Sequence, residues 1–494
     1  MKIKIPRQHK QQQKWQSKTY ITDDTRELDS NSLLVCTKSN QNFIDKIFKT
    51  TQNLQNDISD FIITPKELAN LFAPLPKLIG ITGTNGKTTT VAIIYSILLD
   101  LGFSCGLFGT RGAYKNDKKI RQKGLTTPTL LAIYELLNEC RDCDFVIMEV
   151  SSHAIHQERI AGLEFISKVL TNITSDHLDY HKTLEEYIRL KNHFLLDEEN
   201  LAKNGSVIIN ADEPNALFNA CRKDNVLSYG IEMASAGQVN LKTNAYSLDN
   251  GINAHISLEI DTKHDDKCKK IHEQALISVN LYGKHNLYNV LAAILCVKSL
   301  ERFNVSKNAI KSNIVDSTFL LETIIEQLKN FGGVEGRMEV ISQNPLIIVD
   351  FAHTHDGMKQ IFESFRGREI VVVFGAGGDR DKTKRPKMGL CAYNYAKKLY
   401  ITSDNPRSEN PLEIINDIVR GIPTLQTTQN RQIICEPDRK IAITKAIQEL
   451  EQKEILLILG KGDETYQILG DKSVEFDDRE VAREVLKQLA LHKA

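Results

Sequence analysis

"GITGTNGKTTT", Gly80 to Thr90, joins two segments of different periodicity. Ahead of it "KLIGIT", residues 77–82, is a short apolar run of the kind buried in a parallel sheet. Behind it "KTTTVAIIYSILLDLG", residues 87–102, repeats apolar residues at helical spacing. A strand that turns through glycines into a helix is the arrangement that grips phosphate. Gly83 and Gly86 free the backbone so that successive N–H groups, from Thr84, Asn85 and Thr89 among others, face one anion. Lys87 would reach the outer phosphates and the Thr88 hydroxyl would ligate magnesium. The standard G-x-x-x-x-G-K-[ST] spacing asks for glycine where Ile81 stands. The flanking strand and helix, with Gly86-Lys87-Thr88 intact, carry a nucleotide site past that departure.

Outward from the loop, strands and helices alternate. "DFVIMEVSS" (144–152), "SKVLTNIT" (167–174) and "GSVIIN" (205–210) read as buried strands. Residues 251–280 alternate apolar and polar, which predicts antiparallel strands on one side, and "NLYNVLAAILCVKSL" (286–300) returns to a helix. A second α/β run begins near Gly332. Its strands are "PLIIVDFA" (345–352), "EIVVVFGAGG" (369–378), "KLYITSD" (398–404), "RQIICE" (431–436) and "EILLILGKG" (454–462), with helical segments between them. A doubly wound sheet is the economical topology. Residues 1–77 are polar with short apolar runs and read as a small α/β module ended by "LFAPLPK" (71–77). The expected fold is therefore α/β in three domains, 1–77, 78–332 and 333–494: a small N-terminal α/β module, a central P-loop domain with a mostly parallel sheet, and a C-terminal Rossmann-like domain.

The totals agree with a multidomain enzyme and exclude several other classes. A chain of 494 residues is too long for one ordinary core. Lysine plus arginine equals aspartate plus glutamate at 63 each, so no global field points to nucleic acid or membrane. No run approaches the ~20 apolar residues that span a bilayer, and "MKIKIPRQHKQQQKWQSK" (1–18) lacks the apolar centre of a secretory signal. A cytoplasmic monomer is the expectation. Nine scattered cysteines argue against a disulfide framework, and the lone "CRDC" at Cys140–Cys143 reads as buried thiols. The glutamine-rich start, Gln8 and Gln11–Gln13, has no assigned role.

Downstream segments decide what the phosphate is used for. "MEVSSH" (148–153) puts Glu149 at the end of a buried strand, where α/β sheets place ligands. "TSDHLDYHKTLEEYIRLKNHFL" (174–195) sets His177, Asp179 and His181 ahead of a helix carrying Lys191. Taken singly, these are a strand-end charge, a helix-start histidine and a solvated lysine. In order, with "LTTPT", "MEVSSHAIHQERI", "LTNITSDHLDYH", "YGKHNLYN", "GRMEV", "VDFAHTHD", "FGAGGDRDKTKRPKMG", "TSDNPRSENP" and "GKGDETY", the chain resembles the Mur ligase family from Gly80 to beyond Tyr466. These are the ATP-dependent amide-forming enzymes of peptidoglycan precursor synthesis.

The resemblance implies an acyl-phosphate route with ATP and Mg2+. It assigns ATP to Gly83, Thr84, Asn85, Gly86, Lys87, Thr88 and Thr89, with Asn286, Arg337 and Asp350. Metal would be held by Thr88, Glu149, His177 and an N-carboxylated Lys191. Catalysis would rest on Lys87, Lys191, His177 and Glu149. Thr25, Thr126, Thr127, Ser151, Gln157 and Arg159 match positions for a UDP-muramoyl substrate. "DNPR" with "GGDR" points to the member that joins meso-diaminopimelate to UDP-N-acetylmuramoyl-L-alanyl-D-glutamate. The second amino acid would then sit on Arg380, Asp404, Asn405, Pro406, Arg407, Gly460 and Glu464. A planar arginine fork suits that substrate's extra carboxylate, which lysine lacks. A lysine-adding or folate-polyglutamylating ligase, or a nucleotide-binding protein without ligation, are the alternatives. Asp463 and His355 stand where the family usually has histidine and proline, and Thr25 where it has serine.

Overall fold

The computed structural model describes residues 1–6, 15, 18–38, 40–50, 61–216, 225–232, 239–264, 267–303, 319–423 and 431–493. The glutamine-rich start lies outside the described residues. The chain divides into two compact units. The first holds Met1–Tyr246, Ala254–Ile277 and Tyr288–Phe331; the second holds Ser247–Asn253, Ser278–Leu287 and Gly332–Ala494.

In the first unit, the N-terminal residues form a four-stranded sheet in the order Lys2–Lys4, Tyr20–Thr22, Ser32–Val35, Ile62–Ile63. The helix Pro65–Phe72 follows, started by a capping box in which Thr64 and Glu67 satisfy each other's backbone N–H, with proline at its first turn. Its buried Leu68, Leu71 and Phe72 share a core with Ile21, Leu33 and Ile63 of that sheet.

The large sheet has eleven strands, ordered Lys267–Val279, Ile252–His264, Leu241–Ser247, Val226–Gly230, Leu201–Asn210, Phe165–Leu170, Lys77–Thr82, Phe145–Glu149, Cys105–Gly109, Gly112–Lys115, Lys118–Arg121. The run expected to alternate, 251–280, supplies the two strands at one end. From Leu241–Ser247 to Cys105–Gly109 neighbouring strands are parallel. Phe145–Glu149 is buried at every position, as a strand with both faces covered must be. Its register pairs Ile81 with Glu149, bringing that carboxylate beside the start of the phosphate loop. The antiparallel pair Gly112–Lys115 and Lys118–Arg121 was not read from sequence: each is four residues long, and the outer one is largely exposed. Cys140 and Cys143 are free and buried, as expected.

The second unit contains a six-stranded sheet ordered Glu339–Gln343, Leu346–Asp350, Glu454–Leu459, Glu369–Phe374, Lys398–Ile401, Gln432–Cys435. All neighbours are parallel except the first pair. Alternate residues of each strand face opposite layers. Ile348, Val372 and Leu399 pack with Met358, Met388 and Ile414 from the helices His355–Ser364, Lys384–Tyr395 and Pro411–Val419. Val349, Val371 and Tyr400 pack with Ile443 and Val481 from Arg439–Gln448 and Asp478–Lys493. This is the doubly wound layering expected. The two helices of the second layer are clamped by Arg439 and Asp478, both fully buried and joined by two bonds of 2.7 Å.

His285 of the second unit gives a stability prediction. Its Nδ1 is shut off from solvent and has no hydrogen-bond partner among the described residues, and burial depresses the ring's pKa from 6.5 to about 4. Between those values the unfolded chain holds a proton that the folded one refuses. Stability is therefore full above pH 6.5 and falls as pH drops towards 4. The slope from this one group is at most about 1.4 kcal/mol per pH unit. Urea midpoints at pH 7 and 5 should differ less in His285→Gln than in the parent chain; identical pH slopes would refute the assignment.

Candidate active site

The turn out of the Lys77–Thr82 strand explains the misplaced glycine. Ile81 is a fully buried strand residue whose carbonyl accepts the Val150 N–H, so no turn is needed there. The chain turns at Gly83, where φ is +146° and an added Cβ would lie 1.9 Å from Thr171 Oγ1. Gly86 caps the Lys87–Asp100 helix at φ +84°, and a Cβ there would lie 2.2 Å from Asn289 Oδ1. Both positions exclude any side chain.

The loop is braced from the adjoining segment. Thr84 N–H donates to Asn172 O at 2.8 Å, and Asn85 N–H to Asn172 Oδ1 at 2.9 Å. Thr84 Oγ1 donates to Thr174 O and shares a hydrogen bond with the Tyr187 hydroxyl, each at 3.1 Å. The Lys87 ammonium folds back onto Gly83 O and Thr84 O, both at 2.8 Å, and Thr89 is buried in the first helical turn.

Glu149 receives three donors. Thr88 Oγ1 donates to Oε2 at 3.1 Å, Thr110 N–H to Oε1 at 2.8 Å and Thr110 Oγ1 to Oε2 at 3.2 Å. A hydroxyl beside a buried carboxylate is a hard oxygen pair, which fits magnesium. Lys191, on the helix Leu184–Leu196, is 1% exposed, its ammonium 4.6 Å over the Tyr187 ring. Burial first, then the Lys87 charge, drives its pKa far down against the pull of Asp176. His177, at φ +53°, has its Nε2 3.5 Å from Asp176 Oδ2 and its ring 4.9 Å from that of His153.

A third group continues from the Glu149 strand. Thr110 Oγ1 and Thr126 Oγ1 share a hydrogen bond at 3.2 Å; Thr127 Oγ1 donates to Glu149 O at 2.8 Å and accepts from Ser151 N–H at 3.0 Å. Arg159 donates to Thr127 O at 2.7 Å and to Gln157 Oε1 at 2.6 and 3.0 Å; Gln157 reaches the Tyr180 hydroxyl at 3.0 Å. Five of the six positions matched to the UDP-muramoyl substrate thus form one chain of contacts. Thr25 stands apart in the short turn Thr25–Glu27, with no hydrogen bond to them among the described residues.

In the second unit, Asp350 accepts the Met338 and Ala352 N–H groups at 2.7 Å each, and burial raises its pKa. The Arg337 guanidinium lies 4.4 Å over the Phe351 ring. Asn286 is buried and donates to Tyr282 O at 2.9 Å. Farther along, Arg407 takes φ +50° and donates to the carbonyls of Gly378, at 2.7 Å, and Asn405, at 3.5 Å. Arg380 is exposed and borders Gly377 opposite the Arg407 guanidinium: a Cβ on that glycine would be 3.6 Å from Arg380 Cγ and 3.1 Å from Arg407 NH1. Asn405 donates to Glu464 Oε2 at 2.9 Å, and its Oδ1 accepts from Ile468 N–H at 2.9 Å. Gly460, at φ +118°, follows the strand Glu454–Leu459; a Cβ on it would lie 3.2 Å from Asp404 Oδ2. Pro406 is buried between Asn405 and Arg407.

Residues 81–297 match the Mur ligase middle domain, and residues 336–462 the Mur ligase glutamate ligase domain. The UDP-N-acetylmuramoyl-L-alanyl-D-glutamate--2,6-diaminopimelate ligase of Helicobacter hepaticus is 49% identical to the chain, over 94% of it and 95% of that protein. The chain belongs to the Mur ligase family. It shares the Mur ligase fold with a solved UDP-N-acetylmuramoyl-L-alanyl-D-glutamate--2,6-diaminopimelate ligase, at TM-score 0.64 and 23% identity over 95% of each chain. A folylpolyglutamate synthase/dihydrofolate synthase from Yersinia pestis, solved with AMPPNP and a Mn ion, matches at TM-score 0.55 and 17% identity, covering 87% of this chain and 92% of that one.

Several side chains of this Mur ligase site were not picked out from sequence. Thr110, Asn172, Tyr187 and Asn289 each buttress the loop or Glu149 through a contact made far along the chain. Asn172 lay inside the quoted "LTNIT" motif and could have been flagged there. Thr110 had only its position after a glycine-ended strand. His181 Nε2 bonds to Ser152 Oγ at 2.9 Å, and burial pushes its pKa down to about 4, so it is a neutral ring packed beside His153 and Tyr187.

Proposed function

We propose that the chain is an ADP-forming ligase that joins meso-diaminopimelate to the D-glutamate of UDP-N-acetylmuramoyl-L-alanyl-D-glutamate, working as a cytoplasmic monomer. In this reading residues 1–77 take the UDP group, 78–332 the ATP and 333–494 the amino acid. The observation that carries it is the Arg407 guanidinium. It rests on two carbonyl oxygens and, among the described residues, on no carboxylate, which leaves its fork for a carboxylate that arrives with the substrate. The name of the Helicobacter hepaticus relative supports the same substrate. Among the described residues no helix is long and apolar enough to cross a membrane.

The chemistry follows from the groups available. A carboxylate oxygen is a poor leaving group, so the substrate carboxylate first attacks the γ-phosphorus of ATP, giving an acyl phosphate and ADP. The amine then attacks the carbonyl carbon and phosphate leaves. The first step brings two anions together, so the protein's part is charge neutralisation and alignment. Lys87 and the loop N–H groups hold the phosphates, and Arg159 steadies an anionic part of the UDP substrate. Thr88, Glu149, His177 and N-carboxylated Lys191 would hold magnesium, which supplies positive charge against the phosphate oxygens.

The Lys191 environment suits carboxylation. Burial disfavours the charged ammonium and so favours the neutral amine, the form that adds to CO2: R–NH2 + CO2 gives R–NH–COO⁻ and a proton. Asn286 would lie near the adenine, and Arg337 and Asp350, from residues 333–494, would reach ATP.

The test is product mass and phosphate release with UDP-muramoyl-dipeptide, ATP and magnesium, supplying diaminopimelate, lysine or glutamate in turn. Release dependent on diaminopimelate, with a product heavier by one such residue, is expected. Equal release with lysine would favour the lysine-adding alternative, and none with any amino acid would favour a nucleotide-binding protein.

A further inference from the structure

Lys461, the second residue of "GKGDE", is as buried as any described side chain near the amino-acid pocket. It is 0% exposed, and its ammonium lies 3.1 Å from Glu464 Oε2, 3.3 Å from Asn405 Oδ1 and 3.8 Å from Asp404 Oδ1. Glu464, one of the positions matched to the amino acid, already holds an ammonium group in the folded protein. The neighbouring Arg439 does not alter the count, because Asp478 cancels its charge.

We propose that Lys461 is a specificity-determining positioning residue: it balances the charge of the pocket so that a zwitterionic second amino-acid centre is accepted and a lone ammonium is not. The inference rests on the reading that this pocket takes diaminopimelate. Around Asn405, Asp404 and Glu464 contribute two negative charges and Lys461 and Arg407 two positive; the exposed Arg380 and Asp379 beside Arg407 carry opposite charges and cancel. A substrate end carrying one carboxylate and one ammonium leaves that sum at zero. A lysine side chain, with the ammonium alone, leaves one uncompensated positive charge and an unmatched Arg407 fork, which is costly where water is excluded. Lys461 also fixes direction. Asn405 is held by Lys461 at its Oδ1 and donates from its amide to Glu464, so the carboxylate is oriented by two neighbours before substrate arrives.

Removing the Lys461 charge makes the pocket net negative and shifts the advantage towards a bare cation. Lys461→Gln keeps hydrogen-bonding capacity while losing the charge. It should raise the KM for diaminopimelate about tenfold or more, keep the KM for ATP within about twofold, and narrow the kcat/KM preference for diaminopimelate over lysine by a similar factor. Lys461→Arg should keep the preference. An unchanged preference in Lys461→Gln, or ATP and amino-acid KM values rising together, overturns the proposal. Should Lys461→Gln fail to fold, the parent chain is tested with diaminopimelate whose distal carboxyl is an amide, which keeps the ammonium and the shape but loses the negative charge. Its kcat/KM should fall to within about threefold of that for lysine, and use as good as that of diaminopimelate overturns the charge-balance account. A parent chain that does not use diaminopimelate at all defeats the functional reading instead, and does so before any variant is made.

Discussion

Replacing Lys191 by alanine should reduce turnover by on the order of a thousandfold while ATP still binds. The size follows from the environment. Lys191 is 1% exposed, and burial together with the Lys87 ammonium disfavours its charged form. An amine kept there without a carboxyl group would be an idle, desolvated base, an expensive thing to bury beside a phosphate loop. Carboxylated, the same side chain becomes a fixed anion in a water-poor site, where one oriented charge contributes about 3–4 kcal/mol to a transition state. The loop contacts of Gly83, Thr84, Asn85 and Lys87 involve other residues, so nucleotide affinity should change by no more than about threefold. A short carboxylate such as formate or acetate should restore part of the lost rate. Full activity in Lys191→Ala would remove the carboxylated side chain from the mechanism. Labelled bicarbonate offers a second reading: a carbamate signal in the parent chain that is missing from the variant.

The fold and the site were not equally legible. Buried parallel strands announce themselves because both faces are covered: the runs read at 77–82, 144–152 and 454–462 hold the strands Lys77–Thr82, Phe145–Glu149 and Glu454–Leu459, the last two ending three residues before the quoted segments do. The pair Gly112–Lys115 and Lys118–Arg121, and the hairpin Tyr466–Leu469 with Lys472–Glu475, were missed because short, half-exposed strands carry little apolar patterning. The phosphate loop was legible from Gly86-Lys87-Thr88, but not the reason Ile81 is harmless. That reason is tertiary: the turn is set by the approach of Thr171 to Gly83. The partners of a charged side chain were the least visible. Glu149 could be placed at a strand end, but nothing in the sequence tied it to Thr110, and nothing tied Lys461 to Glu464 or Asp404. Such contacts depend on which loops the sheet order brings together, and spacing along the chain does not encode that order.

Arg407 shows how conformation and function can be separated by measurement. A non-glycine residue at φ +50° is held against its preference, at a cost of order 1–2 kcal/mol. The backbone is pinned there by Arg407 N–H to Ile468 O at 3.1 Å and by Gly470 N–H to Arg407 O at 2.8 Å. Those bonds tie the Asp404–Arg407 turn to the hairpin that follows "GKGDE", and they use only main-chain atoms. A glycine would make the same bonds without the strain, so retention of arginine must be explained by its side chain. Arg407→Gly should therefore unfold at a temperature no lower than the parent. Its KM for diaminopimelate should rise by on the order of a hundredfold, the loss expected when a charge-assisted, two-bond carboxylate contact of about 3 kcal/mol is removed. Arg407→Lys keeps the charge but neither the fork nor the reach, and should recover less than a tenth of the lost affinity. The KM for ATP should stay within about twofold in both variants. If Arg407→Gly binds diaminopimelate as the parent does, the guanidinium is only a brace for the carbonyls of Gly378 and Asn405, and the incoming amino acid must be recognised elsewhere.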